Sequence, residues 1–311
     1  MRIMFMGTPD FAAIALKGLC DNGHTPVCCV TKIDKPAKRG YKLTASPVKI
    51  YATENGIPVE QPVKLSTPEF YETLKTYDPE LIVVVAYGVI LPKSVLDYPK
   101  YGCINVHGSI LPQYRGAAPM QRAIMDEKPE TGVTVMKMEK GLDTGDMLLT
   151  LKTPITEDDN LETIHDRLAK MSGDAILEAL ELITSGKAVF TPQDGEKATY
   201  AEKILSDDEV IDFSRSATAI SAQIRALTPF PHARCVFNGK RIKITKAKAY
   251  PDVNVDGKSA GEVISTKGGE ILVACGRGAI AFSGVFPESK RRMSASDFIN
   301  GSKIKVGDRF E

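Results

Sequence analysis

With 311 residues, 43% hydrophobic and 25% charged, the chain has the make-up of a soluble globular protein and excludes large-scale disorder. Its length exceeds what one hydrophobic core usually organises, so two domains are expected. The net charge of +1 hides an asymmetry: residues 209–311 hold 17 Lys/Arg against 10 Asp/Glu, and the residues before them 23 against 29. A basic carboxy-terminal module on a mildly acidic body points to a polyanionic partner, although an ordinary solvated surface has the same composition.

The apolar stretch in Met-Arg-Ile-Met-Phe-Met-Gly at the start is too short for a signal-peptide core and reads as a first strand. No apolar run approaches the roughly 20 residues that cross a bilayer, so a cytoplasmic protein with no membrane partner is expected. Strands at 3–6, 27–30 and 81–86 alternate with amphipathic stretches at 11–19 and 46–54, the pattern of a parallel α/β sheet. Residues 81–86 are continuously apolar, as a central strand covered on both faces should be. Ligands of such sheets bind at the carboxyl ends of strands, where Gly7-Thr8-Pro9, Tyr87-Gly88 and the segment from Asn105 to His107 fall.

Asn105 and His107 stand two apart, just before the Pro/Gly-rich stretch Pro112-Gln113-Tyr114-Arg115-Gly116. Residues i and i+2 of a strand share a side, so an amide and an imidazole converge there while Ile104 and Val106 face inward. An amide donor for a developing oxyanion and an imidazole that moves a proton together serve addition to a carbonyl carbon. Cys103, beside them, lacks an activating cation and is not read as a nucleophile. The six cysteines include no Cys-x-x-Cys pair, which argues against zinc, and the neighbours Cys28 and Cys29 read as one buried and one outward thiol.

Strands at 131–138 and 146–151 flank Gly141-Leu142-Asp143-Thr144-Gly145, whose glycines suggest unusual backbone angles and whose Asp143 is either a turn residue or a partner for the imidazole. A capped amphipathic helix follows over 161–183, and residues 188–208 read as a linker. Beyond it come a helix at 217–227 and about five short strands between 233 and 285 with glycine-bearing turns, which suggest a small β-barrel. Strand alternation puts Arg241, Lys243 and Thr245 on one face and Lys240, Ile242 and Ile244 on the other. The run from Lys32 to Lys42 carries five cations against Asp34 alone, a composition usual in solvated loops.

The segment Asn105-Val106-His107-Gly108-Ser109-Ile110-Leu111-Pro112, with Arg115-Gly116-Ala117-Ala118-Pro119 and the later Gly141-Leu142-Asp143-Thr144-Gly145, resembles the methionyl-tRNA formyltransferase family. The likeness extends to Met6-Gly7-Thr8-Pro9-Asp10-Phe11, Lys38-Arg39-Gly40, Tyr87-Gly88-Val89-Ile90-Leu91-Pro92 and Ala198-Thr199-Tyr200-Ala201, and covers essentially the whole chain. It implies a Rossmann-like, mostly parallel formyltransferase domain over 1–189, a linker over 190–208 and an OB-like tRNA-binding barrel over 209–311. It also implies 10-formyltetrahydrofolate as formyl donor, initiator methionyl-tRNA as acceptor, no metal and no obligate protein partner. Catalysis is then expected from Asn105, His107 and Asp143. Folate contacts are expected from Ser109, Ile110, Leu111, Pro112, Val89, Ile90 and Leu91, and tRNA contacts from Lys38, Arg39, Lys42, Arg241 and Lys243.

Formylation of a small amine, such as an amino sugar or a glycinamide ribotide, would use the same core but needs neither the basic second domain nor the loop around Arg39. The sequence lacks both a Gly-x-Gly-x-x-Gly fingerprint and a P-loop, which disfavours nucleotide cofactors.

Overall fold

The computed structural model describes residues 1–36 and 43–311, which form two compact units. The first comprises residues 1–119, 131–153 and 165–201, and the second residues 120–130, 154–164 and 202–311.

The first unit is built on a seven-stranded sheet in the order Met147–Pro154, Glu130–Lys137, Cys103–His107, Leu81–Val85, Ile3–Gly7, Cys28–Val30, Val59–Glu60. The last five are mutually parallel, and Glu130–Lys137 runs antiparallel to Cys103–His107. The chain steps outward from Ile3–Gly7, then crosses back to place Leu81–Val85 on its other flank. That reversal is where open α/β sheets leave a crevice at their carboxyl ends. Every residue of both strands is buried, as continuous apolar runs require. A Cβ at Gly7 would lie 2.9 Å from the Val85 carbonyl oxygen, so glycine permits the close turn into the Asp10–Asp21 helix.

Both Cys28 and Cys29 are fully buried, which corrects the expectation of one outward thiol. Their strand lies between two others, and alternation in a sheet covered on both faces exchanges one interior for another. The Pro68–Tyr77 helix was not anticipated, because only Phe70 and Leu74 form its buried stripe. Its start is nonetheless encoded: the Thr67 hydroxyl accepts the Phe70 N–H at 3.4 Å, and proline opens the first turn.

The stretch expected as a linker is divided. Residues 190–201 belong to the first unit, where Tyr200–Ala201 pairs with Arg115–Gly116 and Thr191 exchanges two backbone hydrogen bonds with Met147. Turn-rich composition there reflects polar cross-links and not a free connection.

In the second unit, Ala233–Phe237, Lys240–Tyr250, Ala279–Pro287, Ile271–Ala274 and Val263–Ser265 form an antiparallel curled sheet, with Met293–Ser294 added beside Ala279–Pro287. The terminal segment laces the two outer strands together. Glu311 exchanges hydrogen bonds with Val236 on one side, while Phe310 N–H reaches the Gly261 carbonyl at 2.9 Å and Asp308 accepts from Val263 at 2.8 Å on the other. The Phe310 ring, 1% exposed, packs among Phe213, Phe237 and Phe282 in the core of this barrel-like sheet.

Candidate active site

The Cys103–His107 strand lies beside Leu81–Val85, with Val84 opposite Asn105 and Val85 opposite Val106. Ile104 and Val106 are buried, Asn105 is half-buried, and the His107 ring is 7% exposed. Its Nε2 lies 2.8 Å from the Tyr114 carbonyl oxygen. A carbonyl only accepts, so Nε2 carries the proton and Nδ1 is left to exchange one. Nδ1 stands 3.6 Å from Asp143 Oδ2. The structure therefore joins two residues that sequence spacing alone could not connect. Among the described residues the Asn105 side chain makes no hydrogen bond.

Asp143 reaches the imidazole from a left-handed backbone position, φ 52°, on the loop after Glu130–Lys137. Its Oδ2 accepts the Gly116 N–H at 2.8 Å. Gly141 and Gly145 do not supply unusual angles, which corrects that expectation. They supply space, since a Cβ at 141 would collide with the Thr144 side chain and one at 145 with the Lys137 carbonyl. Gln193 holds the loop from behind: Nε2 donates to the carbonyls of Asp143 and Gly145, both at 2.8 Å, and Oε1 accepts from Arg115 Nε at 3.0 Å and Nη2 at 2.7 Å. The Cys103 thiol is buried and pushed up to about 12 by that burial, with the nearby Asp97 adding to it, which makes it inert.

Residues 1–180 match the formyl transferase family and residues 203–303 the formyl transferase C-terminal domain. A methionyl-tRNA formyltransferase of Citrifermentans bemidjiense is 44% identical over 308 residues, 99% of this chain and 95% of its own length. The chain belongs to the methionyl-tRNA formyltransferase family. Solved structures share the fold at low identity. The Helicobacter canadensis N-formyltransferase in complex with folinic acid and dTDP-3-aminofucose is 18% identical with a TM-score of 0.68, over 91% of this chain and 98% of that one. HypX from Aquifex aeolicus in complex with tetrahydrofolic acid is 18% identical with a TM-score of 0.64, over 99% of this chain, which spans about half the length of HypX. The fold is thus common to proteins seen with different ligands, and fold alone does not select an acceptor.

The residues that resemblance to this family assigns to folate are placed unequally. Val89 and Ile90 are exposed, Ile90 to 89%, on the loop leaving Leu81–Val85. Leu91 is buried in the core with Met4, Met6 and Val84. Ile110 and Pro112 are half-buried, whereas Leu111 is buried and the Ser109 hydroxyl turns inward to the Gln113 carbonyl at 2.7 Å. Thr134 fixes that turn by donating to the Ser109 carbonyl and accepting from Leu111 N–H. Lys38, Arg39 and Lys42 lie outside the described residues.

On the Lys240–Tyr250 strand, Ile242 and Ile244 point into the core while Arg241 and Lys243 face out. The register shifts between Ile244 and Ala247, an irregularity that changes the phase of the strand. Beyond it Ala247 and Ala249 pack against the core, and Lys246 and Lys248 are exposed. Without the shift those lysines would point inward. With it, Arg241, Lys243, Lys246 and Lys248 share the outer face. Arg241 pairs with Glu288 at 2.8 Å, and Lys243 Nζ donates to the Pro231 carbonyl at 2.9 Å.

Gln193, the Tyr114 carbonyl and Thr134 were missed by sequence reasoning. A turn-like Thr-Pro-Gln-Asp and a strand threonine carry no local signal. The only pointer was that Ala198-Thr199-Tyr200-Ala201 belongs to the family pattern, and Thr199 indeed accepts the Tyr114 N–H at 2.9 Å.

Proposed function

We propose that this chain transfers the formyl group of 10-formyltetrahydrofolate to the α-amino group of methionine esterified to initiator tRNA, in the cytoplasm. The observation that carries the reading is the His107–Asp143 pair at 3.6 Å, held by the Tyr114 carbonyl and the Gly116 amide, with Asn105 on the same strand. The amine attacks the formyl carbon, and the carbonyl electron pair moves to oxygen. Asn105 donates to that oxyanion, a contribution of about 3 kcal/mol for one well-placed donor. The pair accepts the proton lost by the attacking nitrogen, through His107 Nδ1 or Asp143, and returns it to folate N10 as the carbon–N10 bond breaks. Atoms and protons balance with no metal in the scheme. An α-amino group has a pKa of about 8, so a modest base is sufficient.

Val89, Ile90, Ile110 and Pro112 are the side chains available to line a folate site, while Ser109, Leu111 and Leu91 shape its walls from within. For the tRNA, the outer face carrying Arg241 and Lys243, extended by Lys246 and Lys248, supplies phosphate contacts, while Arg39 meets the acceptor end and Lys38 and Lys42 steer the backbone. The names of the relatives and this basic face favour tRNA over a small amine. Incubation with 10-formyltetrahydrofolate and, separately, methionyl-tRNA, free methionine, a dTDP-amino sugar and glycinamide ribotide tests the reading. Formylation of methionyl-tRNA alone is expected, and formylation of only a small amine overturns it.

A further inference from the structure

Asp143 occupies an unfavourable backbone region, and its carboxylate is useful only if the loop keeps that conformation. The hydrogen bonds around it close a ring. From Asp143 the ring passes through Oδ2 to the Gly116 N–H, along the backbone to Arg115, through the guanidinium to Gln193 Oε1, and from Gln193 Nε2 back to the carbonyls of Asp143 and Gly145. One amide serves both sides, and only one orientation of it is consistent. Arg115 has no acceptor, so it must meet the oxygen, and the two carbonyls have no donor, so they must meet the NH2 group. Arg115 is 7% exposed, and among the described residues its guanidinium has no carboxylate within ion-pair distance. Its partner is the neutral Gln193. That segment is itself anchored by the paired hydrogen bonds of Thr191 with Met147, each 2.8 Å.

We propose that Gln193, oriented by Arg115, is a positioning residue that holds Asp143 in reach of His107. This rests on the reading of Asp143 as part of the proton-transfer pair. The choice of an amide follows from the two sides it serves. A glutamate would strengthen the contact to Arg115 but set a carboxylate oxygen against two carbonyl oxygens, pushing away the strand of loop that carries Asp143. Glutamate has nearly the same volume, so packing is preserved while positioning is broken.

The test is a double-mutant cycle on the full chain, read as single-turnover formyl transfer to methionyl-tRNA, with KM for both substrates and the melting temperature recorded. Gln193→Glu is expected to lower kcat by about 10- to 100-fold with both KM values within about twofold. In an Asp143→Asn background the same substitution is expected to change the rate by less than about twofold, because the group it positions has gone. An unchanged kcat in Gln193→Glu, or an equal fold-loss in both backgrounds, overturns the proposal. A wild-type rate in Asp143→Asn alone overturns instead the reading of the pair. If Gln193→Glu does not fold, Arg115→Lys enters the same cycle, with the same two outcomes deciding.

Discussion

The strand end at residues 105–107 and the outer face of the 240–250 strand both present polar side chains, but their polar groups are held in different ways. His107 is 7% exposed, with Nε2 hydrogen-bonded to a carbonyl at 2.8 Å and Nδ1 facing a carboxylate at 3.6 Å. On the basic face, Arg241 is 61% exposed with a single ion pair, and Lys246 and Lys248 stand in solvent. Proton transfer requires atoms placed to within a fraction of an ångström, so His107 and Asp143 are each tied to backbone, through the Tyr114 carbonyl and the Gly116 amide. Attraction to a polyanion falls off slowly and sums over charges, so the second site needs only a shared face. One site should therefore fail abruptly at single residues and the other gradually with charge.

The sharpest test of that contrast is Asp143→Asn. The asparagine keeps the shape and, through its oxygen, the Gly116 contact, but no longer accepts a proton. kcat is expected to fall by about 10²- to 10⁴-fold, with folate binding measured by equilibrium titration changed little. A loss confined to KM would mean that the carboxylate binds and does not transfer.

The second unit has its own point of abrupt failure, in packing instead of chemistry. Phe310 lies among three other phenylalanines on the segment that laces the Ala233–Phe237 and Val263–Ser265 strands. Phe310→Ala is expected to cost about 3–5 kcal/mol. Hydrogen exchange should locate the loss: protection at Val236 and Val263 falls while the Ile3–Gly7 strand is unaffected. Equal loss in both units would contradict the view that this segment serves the second sheet alone.

A third test uses pH. His232 is 3% exposed, its Nε2 meets Arg292 Nη2 at 2.7 Å, and among the described residues its buried Nδ1 has no hydrogen-bond partner. Burial first, then the Arg292 and Lys243 charges, lower its pKa from 6.5 to about 4. The unfolded chain binds a proton near pH 6.5 that the folded chain refuses until about pH 4, so stability is full above 6.5 and declines as pH falls toward 4. The decline attributable to His232 is roughly 3 kcal/mol. The melting temperature of His232→Gln should fall less steeply than that of the wild type over this interval, and parallel curves would remove His232 from the effect.

Much of the first unit was legible because its determinants are local. The apolar run at 81–86 reads as a covered strand, and Asn105 and His107 declare themselves by strand spacing. Asp143 is different: its tie to His107 spans 36 positions, so its glycine-flanked loop singled it out only as a turn residue or a partner, and the family resemblance, not periodicity, gave it the catalytic role. Gln193 was invisible for the same reason, since its partners lie 50 and 78 residues away and its value is in serving both at once. In the second unit, alternation from Arg241 to Ile244 was read correctly, but an unbroken period of two carries Lys246 and Lys248 to the wrong side. Nothing in a run of alternating lysines marks where a strand will gain an extra residue. The lacing role of residues 308–311 was equally hidden, because one phenylalanine among charged neighbours has no periodicity.

The smallest expected effect is the one that depends on that irregularity. If Lys246 and Lys248 share the outer face with Arg241, each contributes to tRNA attraction as a charge and not as a specific contact. Replacing either by alanine should weaken tRNA binding only modestly at moderate salt and leave kcat unchanged. The plot of log affinity against log salt should lose about 0.7–0.9 of slope for each phosphate contact removed, and the double substitution should lose about twice that. Lys267, exposed on a short turn elsewhere in the second unit, is the control. If Lys267→Ala flattens the slope as much as Lys248→Ala, net charge alone attracts the tRNA and the phase of the strand has no bearing on function. If only the lysines at 246 and 248 matter, the extra residue near 245 is what turns an alternating sequence into a single binding face.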